Sequence, residues 1–272
     1  AIAASSLFKA AAVLQRPELA DHGSAALRFL LDNLFDGKDV YHYWDGTYHL
    51  VGMLGDQAHL IRALIDASQN TGDADLLVPA EKIAARAIEQ NKSKAGGFYD
   101  IMHDPDSQGP MRRRNRSILD NGAMAEALVR LSYLSRQPEL HEEAITSLQA
   151  FASDYREYGY YVAGYGRAVD LCFYPPLFIT IVGNRNDEDT RELRRTALST
   201  YVPSRIVQTL DPALDPVLLA RSGLKMDRAP TQQGAIAHLT VGKKEQGTAH
   251  TPDELLQAIE SVERDRRQSL RD

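Results

Sequence analysis

The chain has 272 residues, of which 43% are hydrophobic and 25% are charged, and its net charge at pH 7 is −6. This composition is typical of a globular protein with one large domain or two ordinary ones. A sequence pI near 5.8 argues against broad nucleic-acid binding, and no apolar run reaches the ~18 residues that a membrane-spanning helix requires. We therefore expect a cytoplasmic protein that binds neither nucleic acid nor a membrane.

Three segments of the first half align without gaps and predict a repeated helical hairpin. They begin at Ser6, Ala63 and Ala127, and each has an Ala/Leu-rich stretch of period 3.6, a short break with Pro or Gly, and a second amphipathic stretch. Two long loops separate the hairpins, "FDGKDVYHYWDGTYHLVGML" and "NKSKAGGFYDIMHDPDSQGPMRRRNRSI". Repeats of this kind pack against their neighbours to build one helical layer.

The pattern changes after about residue 170. "PLFITIVG", "SRIVQTL" and "AIAHLTVG" are short β-branched runs that predict strands, and "DEDTRELRRTALSTY" predicts a helix between the first two. "TPDELLQAIESVERDRR" predicts a terminal helix with Thr251 as its N-cap. The sequence thus predicts a helical-hairpin region over 1–170 and a small α/β segment over 171–272.

Aromatic and polar side chains collect in the two long loops. Tyr43, Trp44 and Asp45 lie in the first loop, and Tyr99 and Asp100 lie in the second. Aromatic faces beside hydrogen-bonding groups suit sugar rings, and loops on a rigid scaffold often carry function. The same aromatic residues could instead only pack the loops onto helix ends. Both interpretations, a sugar-binding surface and simple packing, remain open on the sequence.

Two aspartates occupy equivalent places ahead of the second and third hairpins. Asp56 in "LGDQA" and Asp120 in "LDNGA" are 64 positions apart, the same offset that separates the two hairpins. Carboxylates on one rim could act as acid and base, and His59, three residues after Asp56, could assist proton transfer. Asp is also a common N-cap, and a His on an apolar helix is often a packed core residue. His42, His49 and His103 are further candidates in the loops.

Other reactive groups give weaker signals. The single cysteine, Cys172, lies in the apolar run "LCFYPPLF", which predicts an inert buried thiol rather than a nucleophile. The arginines of "MRRRNRS" could be a solvated loop or an anion site. No HExxH or other fixed metal-ligand spacing is present, so we expect no metal site and no cofactor.

The order and spacing of several short motifs resemble the C-terminal part of the YyaL-like proteins, a thioredoxin-domain-containing family with spermatogenesis-associated members in animals. The motifs that carry the resemblance are "YWDG" (43–46), "GMLGD" (52–56), "IRALIDASQNTGD" (61–73), "GGFYD" (96–100), Asn121 with "AEALVRL" (125–131), "AVD" (168–170), "PP" (175–176), "IVG" (181–183) and "DT" (189–190). They run over most of the chain.

The resemblance implies an (α/α)₆ toroid, similar to six-hairpin glycosidases and to N-acylglucosamine 2-epimerase, with a thioredoxin-like domain upstream. Three hairpins are half of such a toroid, which implies a homo-oligomer, a missing N-terminal half, or a different closure of the helical layer. The family motif similar to "DNAxPSGN" is "RNRSILDN" here, which keeps Asn115 and Asn121. No thioredoxin-type Cys-x-x-Cys occurs in the chain, so a redox role is not carried over.

Two hypotheses about function follow. In the first, the chain is a carbohydrate-active domain, an epimerase, isomerase or hydrolase for a small sugar ligand. Asp56, Asp120 and His59 would be catalytic, and the substrate-binding residues would be Tyr43, Trp44, Asp45, Tyr99, Asp100 and Asn121. In the second, it is a non-catalytic binding or scaffold domain that partners an upstream thioredoxin-like module. The sequence alone does not decide whether the chain is an enzyme.

Overall fold

The structure, a computed structural model, describes residues 1–224 and 234–269. It is mainly helical with small sheets, as predicted. The helices are α1 Ile2–Leu14, α2 Pro17–Leu34, α3 Leu54–Thr71, α4 Leu77–Asn91, α5 Ile118–Ser135, α6 Pro138–Gln149, α7 Ala163–Phe173, α8 Glu188–Ser199, α9 Pro216–Ser222 and α10 Pro252–Ser269. The strands are β1 Tyr41–Trp44, β2 Tyr48–Val51, β3 Leu177–Val182, β4 Arg205–Leu210, β5 Ile236–Val241 and β6 Lys244–Ala249.

The chain divides into two units. The first contains residues 1–7, 21–66 and 76–174, and the second contains residues 8–20, 67–75 and the chain from Pro175 onward. The second unit thus includes short helical segments from the first half of the sequence, which the boundary expected at residue 170 did not include. The helices of the three predicted hairpins are present as α1 to α6, and α5 and α6 pack against each other.

Helix α5 is the centre of the first unit. Apolar residues occupy nearly all of its faces, and it packs against α4, α6 and α7. A helix that is apolar all round is stable only when neighbours surround it. Its side chains Met124, Leu128 and Leu131 join Ile61 and Leu64 of α3 in the fully buried core. Ion pairs Arg62–Glu126 and Arg130–Asp66 connect α3 with α5, whose first turns carry Asp56 and Asp120.

The first predicted loop is not irregular throughout. Residues Tyr41–Trp44 and Tyr48–Val51 form an antiparallel hairpin with Tyr43 opposite His49. Gly46, with φ of 109°, lies in the turn between the strands. Because the hairpin alternates side chains between its two faces, it holds the loop aromatics in fixed directions.

The second unit is built on a four-stranded sheet in the order β4-β3-β5-β6. Strands β3 and β4 are parallel and are connected through α8, as parallel neighbours require a crossover. Strand β5 runs antiparallel to β3, and β6 pairs antiparallel with β5. The three predicted strands and the capped terminal helix are confirmed, with Thr251 Oγ1 accepting from the Glu254 amide at 3.3 Å. Strand β6 was missed because "KEQGTA" is polar and lies at the sheet edge.

No described helix of this chain is long and apolar enough to cross a bilayer.

Candidate functional site

Asp56 and Asp120 hold the same position in two helices, but neither stands ahead of its helix. Each is the third residue of its helix, α3 beginning at Leu54 and α5 at Ile118. The N-cap of α5 is Ser117, whose hydroxyl accepts from the Asp120 amide at 3.2 Å. The expectation that Asp120 is an N-cap is therefore wrong, and its carboxylate is available for other contacts. The pattern Ser-x-x-Asp at 117–120 is the sequence signal for this cap.

Asp56 contacts an imidazole from the hairpin. Its Oδ2 lies 2.8 Å from His42 Nδ1, and the two side chains are 31% and 47% exposed. When His42 donates its Nδ1 proton to this carboxylate, the neutral ring keeps a lone pair on Nε2. The second ring nitrogen can then accept a proton. Asp56 thus orients and polarises His42, as a carboxylate does for a catalytic base.

His42 and Asp56 line a cavity of about 320 Å³ together with His59. The other lining residues of this cavity, which we call the histidine cavity, are Ala1, Ile2, Ala3, Leu30, Leu34, Val40, Tyr41 and Leu60. All of them belong to the first unit. Its wall is mostly apolar with a few convergent polar groups, which is the usual character of a small-molecule site.

His59 is in a different electrostatic environment from His42. Burial, followed by the nearby Arg62 guanidinium, lowers the pKa of His59 below its usual value, while Asp120 and Asp56 partly oppose the effect. His59 is therefore neutral near pH 7. Arg62 Nη1 lies 3.4 Å from His59 Nδ1, so the neutral ring carries its proton on Nε2. The cavity thus has one imidazole disposed to accept a proton and one disposed to donate.

Asp120 lies beside the first turn of α3. Its Oδ1 is 3.0 Å from the point where a Cβ on Gly55 would lie, so a larger residue there would require this carboxylate to shift slightly. Since Gly55 precedes Asp56, the structure brings the two aspartates to the same end of α3. Both also act electrostatically on His59. The three predicted catalytic residues are therefore grouped.

The predicted sugar-binding residues are distributed more widely. Tyr43 stacks on His49 with ring centroids 4.5 Å apart, and both Tyr43 and Trp44 are more than two-fifths exposed. Asp45 Oδ1 lies 2.8 Å from His49 Nε2, a contact that lowers the pKa of the carboxyl. These residues cover the open surface of the hairpin. They do not line the histidine cavity.

The candidates of the second loop are tied into the fold. The Tyr99 ring lies under the Arg114 guanidinium at 4.2 Å, and Asp100 Oδ1 accepts from the Asn115 amide at 2.8 Å. Asn121 is fully buried, and its side chain both accepts from the Phe98 amide at 2.7 Å and donates to the Phe98 carbonyl at 2.9 Å. These contacts give the three residues a clear role in holding the loop on α5.

A buried ion network in the first unit includes Arg62, the neighbour of His59. The sequence analysis did not predict it. Glu126 is 4% exposed and lies 3.3 Å from Arg62, 2.5 Å from Arg167 and 3.8 Å from Arg130. Arg130 also pairs with Asp66, which accepts from Ser5. The signal for this network was the pair of charges Glu126 and Arg130, spaced i, i+4 in the otherwise apolar run "AEALVRL".

Cys172 is buried as predicted, and burial raises the pKa of its thiol to about 12. At neutral pH the thiol is protonated and is not a nucleophile. Within the ranges that the structure describes, His, Cys, Asp and Glu side chains form no group of three that could hold a metal ion.

Comparison with known proteins gives no relative: neither a protein-family model nor a curated protein matches the chain.

Proposed function

We propose that the chain is a sugar-active enzyme of the epimerase or isomerase type, which moves a proton on carbon next to a carbonyl group. The observation that carries the proposal is the 2.8 Å contact between His42 Nδ1 and Asp56 Oδ2 at the wall of the histidine cavity. A carboxylate in this place orients the imidazole for proton transfer, and proton transfer by a positioned side chain typically contributes about 10²–10⁴-fold to a rate.

In this proposal His42 is the base and His59 is a hydrogen-bond donor to the substrate. His42 Nε2 removes the proton from the carbon, and the electron pair of the broken C–H bond moves to the carbonyl, giving an enol or enolate. His59 Nε2–H donates a hydrogen bond to the carbonyl oxygen as negative charge develops there, and His59 keeps its proton. The protonated His42 exchanges its Nε2 proton with solvent and returns a proton to the enolate carbon, which completes the exchange. The neutral state of His59, which burial and Arg62 favour, suits a hydrogen-bond donor of this kind.

The paired-carboxylate mechanism of a hydrolase fits the site less well. A glycosidase pair needs one carboxyl free to donate and the other free to attack or to activate water. Asp56 is instead engaged by His42 at 2.8 Å. Asp56 therefore acts as a positioning residue in the proposed reaction, and Asp120 contributes negative charge near His59.

The proposed substrate is a small monosaccharide with a free or latent carbonyl. A cavity of about 320 Å³ is at the small end of ligand sites, which generally range over roughly 300–1,000 Å³. Tyr41 on the cavity wall supplies an aromatic face, and its ring is fixed by stacking on Tyr48 at 4.3 Å. The exposed Tyr43 and Trp44 are left to contact a longer ligand at the surface.

The arrangement of the helical hairpins as part of an (α/α)₆ toroid belongs to the same proposal. Support comes from the repeated hairpins and from the equivalent positions of Asp56 and Asp120 in α3 and α5. Completion of the ring by a second copy or by a further segment, and partnership with a thioredoxin-like module, stay as predictions from the resemblance.

The test is exchange of the substrate's C2 proton with solvent. Free and N-acetylated hexoses are incubated with the protein in D₂O, and loss of the C2 proton is followed by NMR. We expect exchange with at least one sugar, and we expect His42→Gln to slow it by about 10²–10⁴-fold. His22→Gln, at an exposed histidine of α2, is the matched control. Absence of exchange with every sugar, or equal rates in the two variants, would contradict the proposal.

A further inference from the structure

One face of α8 in the second unit carries an arginine, Arg194, that has no anionic partner among the described residues. Arg194 is only 8% exposed, and its Nη1 atom is buried without a hydrogen-bond partner in the described part of the chain. Its neighbours on the same helix are paired: Arg191 contacts Glu188 at 2.7 Å and Arg195 contacts Glu192 at 3.2 Å. A buried unpaired cation is costly, so such a group normally has a ligand or another charge to meet.

Arg194 lines a cavity of about 280 Å³ that lies wholly within the second unit. Arg191, Arg194, Arg195 and Leu198 come from one face of α8, while Leu193 and Ala197 of the same helix pack in the sheet core. The opposite wall is mostly apolar and is formed by Ala11, Ala12, Gln15, Pro17 and Ala20, with Asn70 beside them. We call this space the arginine cavity.

The charges that act most on Arg194 are those of two other arginines. Burial, with Arg191 and Arg185 adding to it, lowers the pKa of Arg194 to about 10, so the group is still charged at neutral pH. The buried hydroxyl of Thr209, a residue that like Arg194 lies beside Gly72, also has no partner among the described residues. Thr209 does not line the arginine cavity, whose polar lining residues besides Arg194 are Gln15, Asn70, Arg191 and Arg195.

We propose that the arginine cavity binds a small molecule that carries an oxyanion group, a carboxylate or a phosphate, joined to an apolar part. The guanidinium of Arg194 would hold the oxyanion, for which its fork of N–H donors is well matched. The alanines, Pro17 and Leu198 would contact the apolar part. This site is separate from the histidine cavity, and it does not depend on the proposed epimerase activity.

A structural alternative makes a different prediction for stability. Arg194 lies against Gly72, just after the C-terminus of α3, where a cation interacts favourably with the helix dipole. If that interaction were its role, Arg194→Met would lower the unfolding midpoint. If Arg194 instead stays unpaired because it binds a ligand, its charge destabilises the ligand-free protein. Replacing that charge with an apolar side chain of similar length should then raise the unfolding midpoint by roughly 2–4 °C.

The experiment combines calorimetric titration with thermal unfolding at constant ionic strength in chloride. The probes are inorganic phosphate, phenyl phosphate, benzoate and its neutral analogue benzamide. We expect phenyl phosphate or benzoate to bind with one-to-one stoichiometry, inorganic phosphate to bind more weakly, and benzamide not to bind. The stronger of the two aromatic anions identifies the oxyanion.

Variants decide whether Arg194 is responsible. Arg194→Met should weaken the binding at least tenfold and raise the midpoint of the ligand-free protein, whereas Arg221→Gln, at an exposed arginine of the same unit, should change neither. Arg194→Lys keeps the positive charge but lacks the paired N–H donors of the guanidinium, so it should weaken binding less than Arg194→Met. Binding unchanged in Arg194→Met, no binding of any anion, or a lowered midpoint or failure to fold in Arg194→Met would each overturn the proposal.

Discussion

Asp56 is the residue whose charge can be removed with least change of shape. Asp56→Asn keeps the size of the side chain but replaces the carboxylate that lies 2.8 Å from His42 Nδ1. Because an amide can stabilise the wrong imidazole tautomer, we expect proton exchange to fall by about 10²-fold or more. The measurement is the same NMR exchange assay, with circular dichroism to verify the fold.

A matched control for Asp56 is Asp32→Asn. Asp32 is an exposed acid of α2 in the same unit, and it does not line the histidine cavity. The Asp32→Asn substitution removes the same charge from the molecule and should leave the rate of proton exchange unchanged. Equal losses in the two variants would mean that net charge, rather than the His42 contact, affects the reaction.

His59 makes stability depend on pH in a defined direction. Its folded pKa lies below the ordinary value of 6.5, so between the two values the unfolded chain binds more protons than the folded chain. Stability therefore rises with pH through this window and is lost as the pH falls through it. We expect His59→Gln to lose less stability than the wild type between about pH 7.5 and about pH 5.5, measured by urea unfolding. If the wild type loses no more stability than His59→Gln over this pH range, His59 is not held neutral in the folded protein.

At the scale of the element, the start of α5 depends on a single hydroxyl. Ser117 is the N-cap, and its Oγ accepts from the Asp120 amide at 3.2 Å. Ser117→Ala should lower the free energy of unfolding by ~1 kcal/mol, since the first turn loses its capping acceptor. Ser24→Ala, inside α2, is the control and should not destabilise, because alanine favours a helix interior. The two free energies are measured by urea unfolding.

Elements that repeat or alternate regularly were predictable from the sequence. The three helical hairpins follow from period 3.6 with a break, and β3, β4 and β5 follow from β-branched runs closed by turns. The β1–β2 hairpin was missed because "YHYWDGTYHLV" mixes aromatic and polar residues on both faces, and none of its eight strand residues is buried. Helix α7 was missed because Gly164 and Gly166 interrupt its pattern.

The site was predictable only in part, for a physical reason. Equivalent repeat positions pointed to Asp56 and Asp120, and local spacing pointed to His59. The partner of Asp56 is His42, which is 14 residues away and reaches it only when the hairpin folds back over α3. Long-range contacts of this kind, like that between Glu126 and Arg167, arise from packing and leave no local pattern.

At the scale of the helical unit, one buried charge connects three helices. Glu126 of α5 meets Arg62 of α3 and Arg167 of α7, and its side chain is 4% exposed. Removing one member of a buried network leaves the others without compensation, which costs about 3–5 kcal/mol. We therefore expect Glu126→Gln to be among the most destabilising isosteric changes in the chain, as measured by urea unfolding.

Two comparisons separate the network from a general effect of substitution. Arg167 is 57% exposed, so water replaces much of what its ion pair provides, and Arg167→Gln should cost only ~0–1 kcal/mol. Arg62→Met removes one of the cations left behind by Glu126→Gln, so the double variant should be more stable than the sum of the two losses, with a coupling of about 0.5–3 kcal/mol. Two results would contradict this: Glu126→Gln and Arg167→Gln lower the free energy of unfolding equally, and the effects of Glu126→Gln and Arg62→Met simply add. Together they would show that apolar packing of α5 holds these helices without help from the network. A larger loss for Glu126→Gln than for Arg167→Gln would instead mean that the ion network fixes α3 against α5. The network would then also hold Asp56 and His59 of α3 in place.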